Sequence, residues 1–488
     1  MKRIQDKIIS IALFFIVFLF INFKASANDL FIGTSTVDIT PEIPVALDGQ
    51  MHLRIAEEIE TPLEANIVVI ESRSNSEKNE AVIFISCDLV VIPLEVIEGV
   101  KLEVKKIAPE IEVDNIVMNA THTHTAPVVR FGLYAIPKIG VTQIKDYHTF
   151  FSKKTAQAVK EAWDNRKPGS VTWGLGFAKI SHNRRATYID NSARMYGQTD
   201  IPEFQSMEGS EDQNIQTLFF WNQKGDLIAT AINVACPSQE VEHKTAINAD
   251  YWHPLRQKLR KRFNSQLSVL GWIGASGDQS PHLMYGKAAD ERMRKLRRID
   301  RLDEIARRIL SAVEETYEVV QMERQNNVPI IHRIEEVTLP MRIVTNSEYE
   351  SSKKEILKME NQLKENPKAI EQLFRRLNSF EGDVIRRYEQ QRNNLPIYKT
   401  QIHVVKMGDI VICTNPFELF TEYGIAMQAR SKALQTFVIQ LSGPGTYLPT
   451  EKAVKGGHYS AIIQSTLVGP DGGQLLVDET VNFINELF

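Results

Sequence analysis

Five short apolar runs in this chain each lead into a residue capable of chemistry. That pattern constrains the fold more than any other feature. Ile116-Val117-Met118 leads to His122 and His124, within Asn119-Ala-Thr-His-Thr-His-Thr-Ala-Pro127. Ile232-Asn233-Val234 leads to Ala235-Cys236-Pro237-Ser238, and Leu270–Ile273 leads to Gly277-Asp278-Gln279-Ser280-Pro281-His282. Val411-Ile412-Cys413 leads to Asn415-Pro416-Phe417-Glu418, and Phe437-Val438-Ile439 leads to Gly445-Thr446-Tyr447. In open α/β sheets, ligands bind outside the carboxyl ends of strands. Five such ends predict one composite site. Residues i and i+2 of a strand share a face, so His122 and His124 are expected side by side at a loop mouth. Imidazole is the commonest protein ligand for metals such as zinc. A polar Thr/His turn without a ligand is the competing reading.

Candidate strands are 81–87, 116–118, 217–221, 227–234, 269–273, 330–340, 403–405, 410–413 and 437–441. Candidate helices are 93–107, 146–164, 250–263, 300–317, 418–434 and 473–487. Their alternation predicts an α/β fold of mixed β-sheets flanked by helices. From about Asn346 to Asn394 the chain is dense in charge, with apolar residues at helical spacing (Ile356, Met359, Leu363, Ile370, Leu373, Phe374, Leu377). This reads as a charged helical hairpin, interrupted at Pro367 and inserted into the main domain. Its two readings are a solvated excursion and a cap over the site.

The first residues carry the marks of export. Lys2, Arg3 and Lys7 precede an apolar stretch from Ile8 to Phe23, and Ala25-Ser26-Ala27 forms a cleavage site. A retained membrane anchor is the alternative. Residues 1–27 are therefore expected to be a signal peptide, and 28–488 an exported catalytic domain, whether periplasmic, secreted or at the cell surface. Residues 1–27 hold Lys2, Arg3, Lys7 and Lys24 against Asp6, so the remaining chain carries −7 where the whole carries −4. An acidic balance argues against nucleic acid as a partner and gives no electrostatic pull toward anionic membranes. Cys87, Cys236 and Cys413 are too few for a disulfide framework. Cys87 and Cys413 sit in apolar runs and read as small core residues.

The order of these motifs resembles the neutral/alkaline (non-lysosomal) ceramidase family, zinc-dependent amidases that split the N-acyl bond of ceramide. Gly33-Thr-Ser-Thr-Val-Asp-Ile-Thr40, Thr121-His-Thr-His-Thr-Ala-Pro127 and Gly277-Asp-Gln-Ser-Pro-His282 resemble three family motifs in sequence. The similarity runs from about residue 31 to 488. It implies a zinc site formed by His122, Glu418 (in Pro416-Phe417-Glu418) and Tyr447 (in Tyr447-Leu-Pro-Thr450). Tyr459, twelve residues beyond Tyr447, matches a substrate-contacting Tyr. The family's remaining histidine ligand corresponds to Cys236, a thiolate being competent for zinc. His243 swinging in, or loss of the metal, are the rivals. Asp250 is expected beside a metal ligand.

The resemblance assigns His124, Tyr459, Arg184 and Ser280 to the reaction centre, with Arg185 competing for the role of Arg184. Metal-bound water would attack the amide carbon, and His124 or Tyr459 would shuttle a proton to the leaving amine. Ser280 is outside a Gly-x-Ser-x-Gly elbow and is expected to hydrogen-bond substrate. Two departures stand out. Arg130-Phe-Gly-Leu-Tyr134 replaces a Gly-rich segment, and the similarity does not extend to the family's immunoglobulin-like C-terminal domain. The expectation is a zinc-dependent hydrolase of an N-acyl amide such as ceramide or a related lipid, touching membrane surfaces transiently. The alternatives are a metallohydrolase of another ester or N-acyl sugar, and a binding protein that has kept the fold without the chemistry.

Overall fold

The structure, a computed structural model, describes residues 29–74 and 79–488. The expected signal peptide lies outside the described residues. Twelve strands build the two principal sheets. They are β1 Asp29–Asp38, β2 Glu64–Arg73, β3 Glu80–Cys87, β4 Ile116–Ala120, β5 Lys167–Phe177 and β6 Asn214–Asn222, followed by β7 Leu227–Val234, β8 Ser268–Ile273, β9 Ile330–Pro340, β10 Ile397–Met407, β11 Ile410–Thr414 and β12 Gln435–Ile439. The larger sheet runs β8-β7-β6-β5-β1-β2-β3-β4 and the smaller β9-β10-β11-β12. The two sheets share one core, in which Ile32, Val68, Phe84 and Trp272 meet Val405, Ile410 and Phe437.

Period-two alternation explains how one strand serves two layers. In β2, Val68 and Ile70 face the opposite sheet, while Ala65, Ile67 and Val69 pack with helices Leu94–Ile107 and Ile144–Asp164. Helices Thr421–Arg430 and Pro470–Asn485 cover the smaller sheet. The order is helix, sheet, sheet, helix, an α/β architecture with mixed sheets, as the sequence led us to expect.

Most neighbouring strands are antiparallel. The three exceptions are β3–β4, β7–β8 and β11–β12. Parallel neighbours need a crossover, supplied here by helices Leu94–Ile107, Trp252–Arg262 and Thr421–Arg430. Each parallel pair ends both its strands on one side, and those ends carry the five motifs.

Sequence patterning does not reveal β1, β2 or β5. Lys167–Phe177 contains three glycines, and Asp29–Asp38 mixes Thr and Ser with its apolar residues, so neither gives a strong run. The helix expected from 418 starts at Thr421. Glu418 and Leu419 are instead extended, pairing in parallel with Tyr447 and Leu448.

Residues 346–391 form the helical insertion. Helix Asn346–Glu365 opens on a capping box between Thr345 and Glu348, and helix Gly382–Gln391 returns antiparallel to it. Pro367 breaks the run, as expected, and starts a short 3₁₀ turn. The insertion joins β9 to β10, whose last pair is Pro340 with Ile397, so it leaves and returns at one hairpin end. Tyr349 stacks on Tyr388 at 4.1 Å between its helices. Among the described residues, no helix is long and apolar enough to cross a membrane.

Candidate active site

The strand ends surround a cavity of about 320 Å³. Six of the eight expected site residues line it: His122, His124, Arg184, Glu418, Tyr447 and Tyr459. Cys236 and Ser280 do not.

His122 follows β4 by two residues. Its φ is +65°, uncommon for a non-glycine residue and found where surrounding bonds over-determine the backbone. Its amide donates to the Leu89 carbonyl, and its Nδ1 lies 2.7 Å from the Val90 carbonyl oxygen. Just upstream, the buried pair Arg256–Asp88 anchors Thr121, whose hydroxyl donates to Asp88 at 3.0 Å. Breaking such a pair from one side costs about 3–5 kcal/mol. The histidine turn is thus held by residues from β3, β4 and the Trp252–Arg262 helix.

A carbonyl only accepts, so His122 Nδ1 carries hydrogen, and in the neutral ring Nε2 presents a bare lone pair. His124 is held the same way. Its Nδ1 faces Glu242 Oε2 at 3.1 Å, and its Nε2 accepts from the Gln239 amide at 2.8 Å. Burial and His122 push its pKa down, against the pull of Glu242, and keep the ring neutral. The two Nε2 atoms are 3.3 Å apart, and Glu418 Oε2 lies 3.4 Å from His122 Nε2. His122 Nε2 and Glu418 Oε2 are thus two acceptors facing each other, an arrangement that a cation between them stabilises, while His124 Nε2 beside them is met by Gln239. Gly49 permits it, because a Cβ there would collide with the His124 ring.

Glu418 and Tyr447 sit side by side because their backbones pair in register. Burial raises the Glu418 acid, but His122, Arg184 and the Tyr447 hydroxyl outweigh it and hold the pKa at about 2. Arg184 donates to Tyr447 Oη at 3.1 Å, to Gln239 Oε1 at 3.0 Å and to the Gly277 carbonyl at 2.8 Å. Its neighbour Arg185 points away, binding Glu208 and the carbonyls of Gly457 and Tyr459. Arg185 therefore fixes the loop that presents Tyr459. Burial raises the phenols of both Tyr447 and Tyr459, so both stay protonated.

Cys236 is corrected by its surroundings. The thiol is fully buried in the apolar cluster with Tyr251 and Trp252, 3.7 Å from the carbonyls of Ile180 and Pro237. Burial also drives its pKa far up, so it stays a neutral thiol. The strand ends at Val234, as expected, but the turn after it faces inward at Cys236, and its polar contacts to His124 come later, from Gln239 and Glu242. His243 is exposed. Ser280 lies behind Tyr196, accepting from its hydroxyl at 3.0 Å and from the His282 amide at 3.0 Å. It serves as a turn serine bracing Tyr196. Asp250 accepts from the amides of Val241 and Tyr251, so it braces the Glu242 loop instead of touching a candidate ligand.

Sequence reasoning missed Gln239, Glu242, Tyr196, Arg130 and Arg375. Glu242 bridges two imidazoles, at 3.1 Å from His124 Nδ1 and 3.4 Å from His282 Nε2. Its irregular loop shows no periodicity, and only the density of Gln, Glu and His in Gln239–His243 marks it. Arg375 comes from the inserted hairpin, as does Phe380, which stacks on Tyr459 at 6.1 Å. Among the described residues, no three His, Cys, Asp or Glu side chains close on one point as a finished cation cage. His122 is instead the shared neighbour of His124 and Glu418, with the Tyr447 hydroxyl beside Glu418.

No protein-family model matches this sequence, and no curated protein matches it. Solved structures do. Neutral ceramidase from Pseudomonas aeruginosa aligns with a TM-score of 0.70 over 94% of this chain and 74% of that one, at 17% identity. The chain has the neutral-ceramidase fold. A ceramidase solved in complex with C2 gives a TM-score of 0.67 over 94% of this chain and 75% of that one, at 16% identity. The expected family resemblance therefore holds at the level of the backbone.

Proposed function

We propose that this protein is an exported, zinc-dependent hydrolase of an N-acyl amide, with ceramide or a related lipid as the model substrate. The single observation that carries this is the 3.4 Å approach of Glu418 Oε2 to His122 Nε2 in the cavity, with His124 Nε2 3.3 Å from the same His122 atom. Tetrahedral zinc with ligands about 2.0–2.2 Å away separates them by about 3.3–3.6 Å. The Val90 carbonyl on His122 Nδ1 is the outer contact that a metal-bound imidazole usually makes. His122, Glu418 and Tyr447 would hold the ion, with His124 adjacent. When bound, zinc makes hydroxide available near neutral pH and polarises a carbonyl.

The chain's own residues account for the rest. Glu242 fixes the His124 tautomer so that Nε2 faces the cavity, where it can accept a proton from water and return it to the leaving amine. Arg184 and Tyr459 place donors where a tetrahedral oxyanion would form. Phe380 stacks on Tyr459 and steadies it at the cavity wall.

The test pairs metal analysis with a substrate panel. Purified protein is incubated with N-acylsphingosines, N-acylethanolamines, N-acyl amino acids, N-acyl sugars and matched esters, and products are identified by mass spectrometry. Release of fatty acid and free amine by a zinc-bearing sample, abolished in His122→Ala, is the expected result. Zinc-bearing protein that cleaves only esters would overturn the amide reading.

A further inference from the structure

Three arginines line the small cavity, and they are not equally satisfied. Arg184 has the three oxygen partners described above and a fourth in the Tyr196 hydroxyl, at 3.4 Å. Arg130 makes a forked pair with the buried Asp48, at 2.8, 2.9 and 3.2 Å. Arg375 is different. Its Nη1 donates to the Gln50 carbonyl at 2.5 Å and to the Tyr134 hydroxyl at 2.8 Å, both neutral acceptors. Its nearest carboxylate is the same Asp48, 3.9 Å away and already engaged by Arg130. Its remaining N–H groups have no acceptor among the described residues. The other cavity acids are committed, Glu242 to His124 and His282, and Glu418 to His122 and Arg184. Arg375 is thus a largely buried guanidinium, pre-positioned by two contacts, with an open donor edge on the cavity.

Arg375 and Arg130 share the single carboxylate of Asp48, which leaves one positive charge in a largely buried place unbalanced, and that is costly. A guanidinium fork matches a planar carboxylate in geometry as well as charge. An acyl chain avoids such a wall, so the arginine end of the cavity suits the amine half of the substrate. The cavity is at the small end of ligand sites, which keeps that group close to the scissile bond. We propose that Arg375, supplied by the helical insertion, binds a carboxylate on the amine portion of the substrate, making N-acyl amino acids the preferred class. This rests on the amide-hydrolase reading and narrows it. The step is hydrolysis: water adds to the carbonyl carbon, the C–N bond breaks, and the products are a fatty acid and a free amino acid.

The test compares N-dodecanoylglycine with neutral N-dodecanoylethanolamine, in the zinc-loaded wild type, Arg375→Gln and Arg375→Lys. Binding is measured in parallel by calorimetry, using 4-oxopentadecanoic acid (CH2 replacing the amide NH) and its methyl ester. The expected result is a preference of at least roughly tenfold in kcat/KM for the glycine compound in wild type. It should vanish in Arg375→Gln and be partly kept in Arg375→Lys, and the oxo acid should lose affinity in parallel. Equal use of both substrates by wild type overturns the subsite while leaving the hydrolase reading intact. So does an equal fall for both in Arg375→Gln, which would place Arg375 at the reacting atoms. Arg375-dependent binding of the oxo acid with no amide cleaved overturns the hydrolase reading and keeps the subsite.

Discussion

The two walls of the cavity are held in place by different forces. The strand-end wall carries His122, Glu418 and Tyr447 on backbone that is registered by sheet pairing: β3 with β4, β11 with β12, and Glu418 with Tyr447. The facing wall comes from an insertion at one hairpin end. It reaches the site through side chains, Arg375 on Gln50 and Tyr134, and Phe380 on Tyr459. Backbone register fixes the atoms that must meet within a few tenths of an ångström. Side-chain docking allows the opposite wall to vary in charge and shape. On this account the first wall sets the reaction and the second sets the substrate.

The comparison breaks most directly at His122. His122→Ala should abolish zinc binding and lower amide hydrolysis by roughly 1,000-fold or more, because the ion that activates water is lost. Retained metal and rate would move the chemistry elsewhere. Next is Glu242→Gln, which keeps the shape but removes the charge that fixes His124. A fall in kcat of about 10- to 100-fold, with KM nearly constant, is expected from loss of an orienting partner. A change confined to KM would make Glu242 a substrate contact. Replacing residues 346–391 with a short turn between β9 and β10 should leave the sheets folded and alter KM and substrate choice by roughly tenfold. Melting together with the core would show that the insertion is structural.

Two smaller effects sharpen the boundary of the site. Cys236→Ser should keep its zinc and activity while losing about 1–3 kcal/mol of stability, the cost of burying a hydroxyl in an apolar cluster. Asp250 gives a pH signature. Burial raises its acid from 3.8 to about 7. The folded state then holds a proton that the unfolded chain releases, so this contribution to stability is complete below pH 4 and lost as pH rises toward 7. Thermal melts of Asp250→Asn, which lacks this titration, should show a flatter dependence over that range.

What could be read from sequence follows from the same contrast. The strands of the parallel pairs are short, apolar and end in polar motifs, so β4, β7, β8, β11 and β12 were legible, and with them His122 and His124; the cavity positions of Arg184, Glu418, Tyr447 and Tyr459 were expected only from the family resemblance. The central strands β1 and β5 were not, because glycine, serine and threonine dilute their apolar faces. Cys236 was assigned by its correspondence to the family's histidine, and the structure puts its thiol in the apolar cluster, with Gln239 and Glu242 reaching His124 instead. Arg375 was invisible, since nothing local in a charged helix marks which arginine will meet a cavity built by residues far away in sequence.

The most direct test of the strand-end site is a crystal of the zinc-supplied protein, measured on both sides of the zinc absorption edge. The account predicts one anomalous peak per chain, bounded by His122 Nε2, Glu418 and Tyr447, with His124 beside it and none near Cys236. A peak at the Cys236 thiol, or full zinc loading with no peak at His122, would contradict it.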